Sequence, residues 1–168
     1  MLERDAVDEF IFKMENSRNR LMLELMARGG MRIGEVLKLK PQDVQDRKLH
    51  LPNPKSGRES EIVFIPQKVA DRLRDYIAAK NIQNDERIFP LGYTRAREIV
   101  KNAGKKIGID VKSHDLRRHA ATYASRSGVP IEIVSKIILR HSNLSTTHRY
   151  LGKVSDTEAI YWIENIYR

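Results

Sequence analysis

Between residues 47 and 66 the chain abandons the helical period that governs the rest of it, and this single interruption sets the fold class. Lys48-Leu49-His50-Leu51 and Glu61-Ile62-Val63-Phe64-Ile65 are short and rich in branched apolar residues, as strands are. The run Pro52-Asn53-Pro54-Lys55-Ser56-Gly57-Arg58-Glu59 between them is full of turn formers, so the stretch reads as a β-hairpin with an exposed basic tip. Everywhere else helices are expected. Those at 5–13 and 17–28 come first, the second capped at Asn16 or Ser17 and stopped by Gly29-Gly30. A short helix runs from Ile33 to Leu37, and Pro41 suits the first turn of a helical piece at Pro41–Val44.

From Gln67 the helical period returns, with Val69, Leu73, Tyr76 and Ile77 on one apolar stripe. Further helices are expected at 93–106, 114–126, 130–140 and 144–151. The last segment, 156–167, gathers Ile160, Ile163 and Tyr167 on one face. The expected architecture is mainly α with one small antiparallel β-sheet, a single domain over residues 1–168.

Charge narrows the partners. Lys and Arg number 31 against 22 acidic residues, a formal net charge of +9 that concentrates polyanions near the surface. No apolar run approaches the roughly 18 residues that a membrane span needs. No signal peptide opens the chain, which leaves nucleic acid, in the cytoplasm, as the expected setting. The absence of cysteine rules out disulfides and thiolate metal sites.

Three clusters carry chemistry. Gly30-Met31-Arg32-Ile33-Gly34-Glu35 places Arg32 at a helix start, where the dipole also favours an anion, with Glu35 at i+3 to hold it. His114-Asp115-Leu116-Arg117 puts His114 and Arg117 on one helix face, although Arg118 and His119 compete on charge alone. The third is Leu139-Arg140-His141-Ser142-Asn143-Leu144-Ser145-Thr146-Thr147-His148-Arg149-Tyr150. Breaking a phosphodiester without metal needs a nucleophile, compensation of oxyanion charge and a proton for the leaving oxygen. Tyrosine can be the first, and the planar fork of arginine answers the second. Taken singly these are an ordinary ion pair, a solvated helix face and a packing tyrosine. Their order and spacing together are not ordinary.

That ordered set resembles the catalytic signature of the tyrosine recombinases, the phage-integrase family, in register from about residue 5 to about residue 165. The resemblance implies that Arg32 and Arg117 clamp the phosphate, with Glu35 supporting. It makes His114 and His141 hydrogen-bond or proton partners and Tyr150 the nucleophile. Tyr76, Tyr93, Tyr123, Tyr161 and Tyr167 are its rivals by residue type. Lys55 in Pro-Lys-Ser-Gly-Arg-Glu matches the family's hairpin lysine, the general acid for the leaving 5′-oxygen, with Arg58 a rival in the same loop.

One position departs from the pattern. Glycine most often precedes the histidine and this chain has Arg140, which either alters the turn or adds a phosphate contact. Arg95 and Arg97 are further DNA-contact candidates, or equally a solvated face.

The implied activity is site-specific recombination through a 3′-phosphotyrosyl link and a Holliday junction, in a homotetramer on DNA that is monomeric alone, with no cofactor, ATP or metal. Residues 155–168 would pass to a neighbouring subunit or fold back on their own core. The N-terminal domain that family members commonly use to grip the opposite DNA face is not evident in the chain, so the DNA binding expected is weak and salt-dependent. Two other readings stand beside this one: a non-catalytic helix-turn-helix module over 130–151, and a nicking-closing enzyme of the type IB topoisomerase kind.

Overall fold

A computed structural model describes residues 4–52, 60–140 and 156–166. The described elements are α1 (Arg4–Phe12), α2 (Ser17–Ala27), α3 (Ile33–Lys38), a 3-10 turn (Pro41–Asp43), β1 (Val44–Gln45), β2 (Lys48–Pro52), β3 (Ser60–Phe64), α4 (Gln67–Ala79), α5 (Tyr93–Lys105) and α6 (Ser113–Arg126). A single α-turn, α7 (Ile131–Ile133), then opens into a π-turn (Val134–Ile138), and α8 (Asp156–Ile166) comes last. The three strands form one antiparallel sheet in the order β1-β2-β3, with Leu49 opposite Val63 and Leu51 opposite Glu61. The mainly α architecture with one small sheet is as expected; β1, only two residues long, is too short to leave a pattern in the sequence.

Helix α2 lies at the centre. Asn16 caps it by accepting the Asn19 N–H at 3.1 Å, and every residue from Leu21 to Ala27 is buried. A helix buried on all sides has lost its polar face, and α2 packs against α1, α3, α4 and α6. Its one charged core residue, Glu24, is fully buried. It accepts a hydrogen bond from Arg72 Nε at 3.0 Å and faces Arg20 and Arg28 at 3.4 and 3.8 Å. A buried carboxylate survives only when paired in this way. The sheet closes one side of the core with Leu49, Leu51, Val63 and Ile65, while Ile62 and Phe64 alternate outward.

A smaller apolar cluster, Ala121, Val134 and Leu139, fastens the 131–140 segment to α6. The sequence suggested one unbroken helix over 130–140. Instead the Leu139 N–H donates to the Val134 carbonyl five residues back, and Arg140 then adopts φ +57. The widened turn followed by a left-handed residue ends the helix and frees the Leu139 carbonyl for another donor. The helix expected at 144–151 lies outside the described residues.

Gly30 is the backbone position on which this arrangement turns. It has φ +72, and a Cβ there would stand 2.9 Å from the Ile138 carbonyl oxygen. Gly30→Ala is therefore expected to lose about 1–3 kcal/mol, a fall in Tm of several degrees by thermal denaturation. Gly34 has open space around it, and Gly34→Ala in α3 is expected to be neutral or to raise Tm slightly.

Candidate active site

The stop of α2 at Gly29-Gly30 sets Arg32 at the start of α3, and α6 brings His114 and Arg117 to the same place. All three line one cleft of about 650 Å³, with Glu35, Leu51 and Tyr93 among its other described walls.

Arg32 is the N-cap residue of α3, and its side chain is 36% exposed, open to a ligand in the cleft. The Glu35 carboxylate accepts both its main-chain N–H at 2.8 Å and its Nη1 at 3.2 Å. The expected i, i+3 pair is present, and it fixes backbone and guanidinium with one carboxylate. Two bonds on one planar group orient better than a single exposed ion pair, which contributes little.

Arg117 is buried in the middle of α6. Its Nε donates to the Gly30 carbonyl at 2.9 Å, and its Nη2 donates to the Leu139 carbonyl. Both acceptors are carbonyls at helix ends, and among the described residues no main-chain N–H donates to either. One acceptor stands two residues before Arg32 and the other two residues before His141, so a single guanidinium ties together the chain segments leading to two of the expected site residues. Arg118 and His119 are not among the cleft walls; Arg118 is exposed, and His119 is buried against the Tyr123 ring at 6.0 Å. Of the three basic neighbours, only Arg117 is among the described cleft walls.

His114, in the first turn of α6, is exposed in the cleft with Nε2 3.5 Å from Asp115 Oδ1. Asp115 also accepts the Lys112 N–H at 2.9 Å, which anchors the helix start. Lys38, Lys40 and Arg87 add positive charge to the cleft walls. Sequence reasoning passed over them, although Lys38-Leu39-Lys40 stands at the end of α3.

Arg140 requires a correction. It was a candidate DNA contact, yet its side chain is 2% exposed and its guanidinium is taken by carboxylates: Nε donates to Glu61 at 3.0 Å and Nη2 to Glu35 at 2.5 Å. Glu61 was also missed as a functional residue. The signal was available: Glu61, Val63 and Ile65 alternate onto the inward face of β3, so a carboxylate there must find a buried cation. Arg95 is exposed and pairs with Glu98 at 3.4 Å, and Arg97 lies over the Tyr93 ring at 5.5 Å from its centroid. Lys55, Arg58, His141 and Tyr150 lie outside the described residues. Among the rival tyrosines, Tyr76 stacks on Phe89, and burial pushes its phenol up, with Arg18 pulling the other way. It belongs to the core.

The family model described as "Phage integrase family" matches residues 1–156. The chain belongs to that family. Tyrosine recombinase XerA of Thermococcus kodakarensis is 34% identical over 145 residues, 79% of this chain and 50% of that protein. A crystal structure of XerA recombinase superposes with a TM-score of 0.81 at 24% identity, covering 99% of this chain and 62% of that one. XerH site-specific recombinase bound to its difH substrate, in a pre-cleavage complex, gives 0.75 at 20% identity over 99% of this chain and 54% of that chain. The chain thus spans about half the length of the curated relatives it matches, and its fold is the catalytic-core fold of tyrosine recombinases. Membership in this integrase family does not favour the non-catalytic helix-turn-helix reading or the topoisomerase one.

Arg117 should therefore matter to the fold as well as to chemistry. Arg117→Ala orphans two carbonyls and is expected to destabilise by roughly 1–3 kcal/mol for each one left buried, read from urea denaturation. Arg32→Ala, on a part-exposed side chain, is expected to stay within about 1 kcal/mol of wild type in the same measurement.

Proposed function

We propose that this chain is the catalytic domain of a site-specific DNA recombinase that cuts and rejoins double-stranded DNA through a 3′-phosphotyrosyl link on Tyr150. The observation that carries it is the convergence of Arg32, His114 and Arg117, from separate parts of the chain, on one open cleft. A phosphate there would meet guanidinium forks already held by Glu35 and by two backbone carbonyls. Little reorganisation is then needed as charge builds on the non-bridging oxygens. His114 is placed to donate to the phosphate or to exchange a proton with the attacking phenol.

Connectivity supports the remaining roles. Leu51 and Pro52 line the cleft, and Lys55 follows Pro52 by three residues, within roughly 11 Å of extended chain, as the proposed acid for the 5′-oxygen. His141 directly follows Arg140, whose neighbour Leu139 is bonded to Arg117. Tyr150 would attack the phosphorus, displacing the 5′-oxygen as a hydroxyl once Lys55 protonates it. A 5′-hydroxyl of a partner duplex would then attack the phosphotyrosine and release the phenol. In the whole protein two such rounds would pass through a Holliday junction in a homotetramer on DNA, assembled from a protein that is monomeric alone. Ile160, Ile163 and Ile166 on α8 are exposed rather than laid on the core, which favours passing residues 155–168 to a neighbouring subunit over folding back. Among the described residues no helix is long and apolar enough to cross a membrane, and a DNA-associated, cytoplasmic setting fits the +9 charge.

The test uses a nicked suicide duplex selected for binding from a random-sequence pool. Wild type is expected to give an SDS-resistant protein–DNA band, Tyr150→Phe none, and Tyr93→Phe a band like wild type. Arg32→Ala is expected to slow band formation by roughly 10²–10³-fold, the scale of one lost transition-state donor. A band that survives Tyr150→Phe overturns the assignment. DNA affinity is expected to fall steeply and linearly on log axes as salt rises; a flat response contradicts phosphate-led binding.

A further inference from the structure

We infer that Arg140 is a positioning residue that sets the orientation of Arg32 through Glu35 and couples the catalytic hairpin to it. Arginine at this position is unfavourable on backbone grounds alone. At φ +57 a side-chain-bearing residue costs about 1–2 kcal/mol relative to glycine, the residue that the family pattern favours here. What the side chain does in return is visible. Its Nη1 donates to the Ile138 carbonyl at 3.2 Å, which fixes the guanidinium against its own turn. Its Nε and Nη2 then join two carboxylates from different elements, Glu61 of β3 and Glu35 of α3. Glu35 Oε1 receives both Arg140 and the Arg32 main-chain N–H, while Oε2 takes Arg32 Nη1.

The relay has a direction. Arg140 holds one oxygen of Glu35, so the other is left facing Arg32 at the edge of the cleft. The four charges of Arg140, Glu61, Glu35 and Arg32 sum to zero. Removing Arg140 takes away the cation that holds Glu35 Oε1. Glu35 can then rotate and draw the Arg32 guanidinium out of the direction in which it faces the cleft. Glu61 extends the link to β3, the strand that continues from the basic tip carrying Lys55, and Arg140 itself directly precedes His141. A planar fork suits this task and an ammonium does not, because only the fork meets two carboxylates and a carbonyl in one plane.

The proposal rests on the recombinase reading above, and it is tested in two arms on the full chain. In the first, Arg140→Gly and Arg140→Lys are compared with wild type for rate of covalent adduct formation at saturating duplex and for DNA affinity. Arg140→Gly relieves the left-handed backbone and is expected to fold, as read by circular dichroism. Its adduct rate is expected to fall about 10–100-fold, the usual scale for a residue that orients a catalytic one, with affinity and salt slope unchanged. Arg140→Lys, which keeps the charge, is expected to remain below wild type. An adduct rate for either variant equal to wild type overturns the inference. So does a salt slope lowered by about one, which marks a direct phosphate contact instead.

The second arm needs no DNA. In 15N-detected spectra of arginine side chains, Arg140→Gly and Arg140→Lys are each expected to shift and broaden the Arg32 Nε–H resonance, a change that general loss of stability in a folded protein does not produce. An Arg32 signal identical to wild type overturns the coupling. Absence of any wild-type adduct would count against the recombinase reading, while this second arm would still decide whether Arg140 controls Arg32.

Discussion

The architecture around the cleft depends on one buried guanidinium. Arg117 reaches out of α6 to the carbonyls of Gly30 and Leu139, and so ties the end of α2 and the end of the π-turn to the helix that carries His114. Burying a cation is expensive unless its donors are used, and here they are directed at two helix-end carbonyls. The Ile138 carbonyl can come so close to Gly30 because no Cβ stands there.

Around that anchor the protein repeats one solution, arginine against carboxylate inside the core. Glu24 with Arg72 ties α4 to the central helix, and Arg140 with Glu61 and Glu35 ties β3 and α3 together at the wall of the cleft. Such pairs add little net stability compared with apolar packing, but they fix direction, since a fork and a carboxylate meet well in few geometries. Direction is what the proposed phosphate clamp requires. The result is a cleft whose guanidiniums are set before any ligand arrives, in a chain whose overall charge already draws polyanions toward it.

Much of this was legible in the sequence. Helical periods on both sides of the hairpin, the Asn16 cap and the Gly29-Gly30 stop all lie where local rules put them. Arg32 with Glu35, and His114 with Arg117, follow from i, i+3 spacing. What escaped was long-range. Arg140 reads as a surface cation because neighbours in sequence give no hint of Glu61, which lies 79 residues away across β3. Likewise nothing local distinguishes a π-turn from a regular helix over Val134–Ile138, since its cause is the docking of Leu139 and Ile138 against α6 and Gly30. Glu24 in the middle of α2 breaks the apolar pattern, and only the fold supplies Arg72.

On the proposed chemistry, Arg32 and Arg117 act on one phosphate in one cleft. A crystal structure of the chain with a selected duplex tests it most directly. A single DNA phosphate is expected in the cleft, its non-bridging oxygens about 3 Å from nitrogens of both guanidiniums. A duplex whose backbone tracks another face, leaving that cleft without a phosphate, would contradict it.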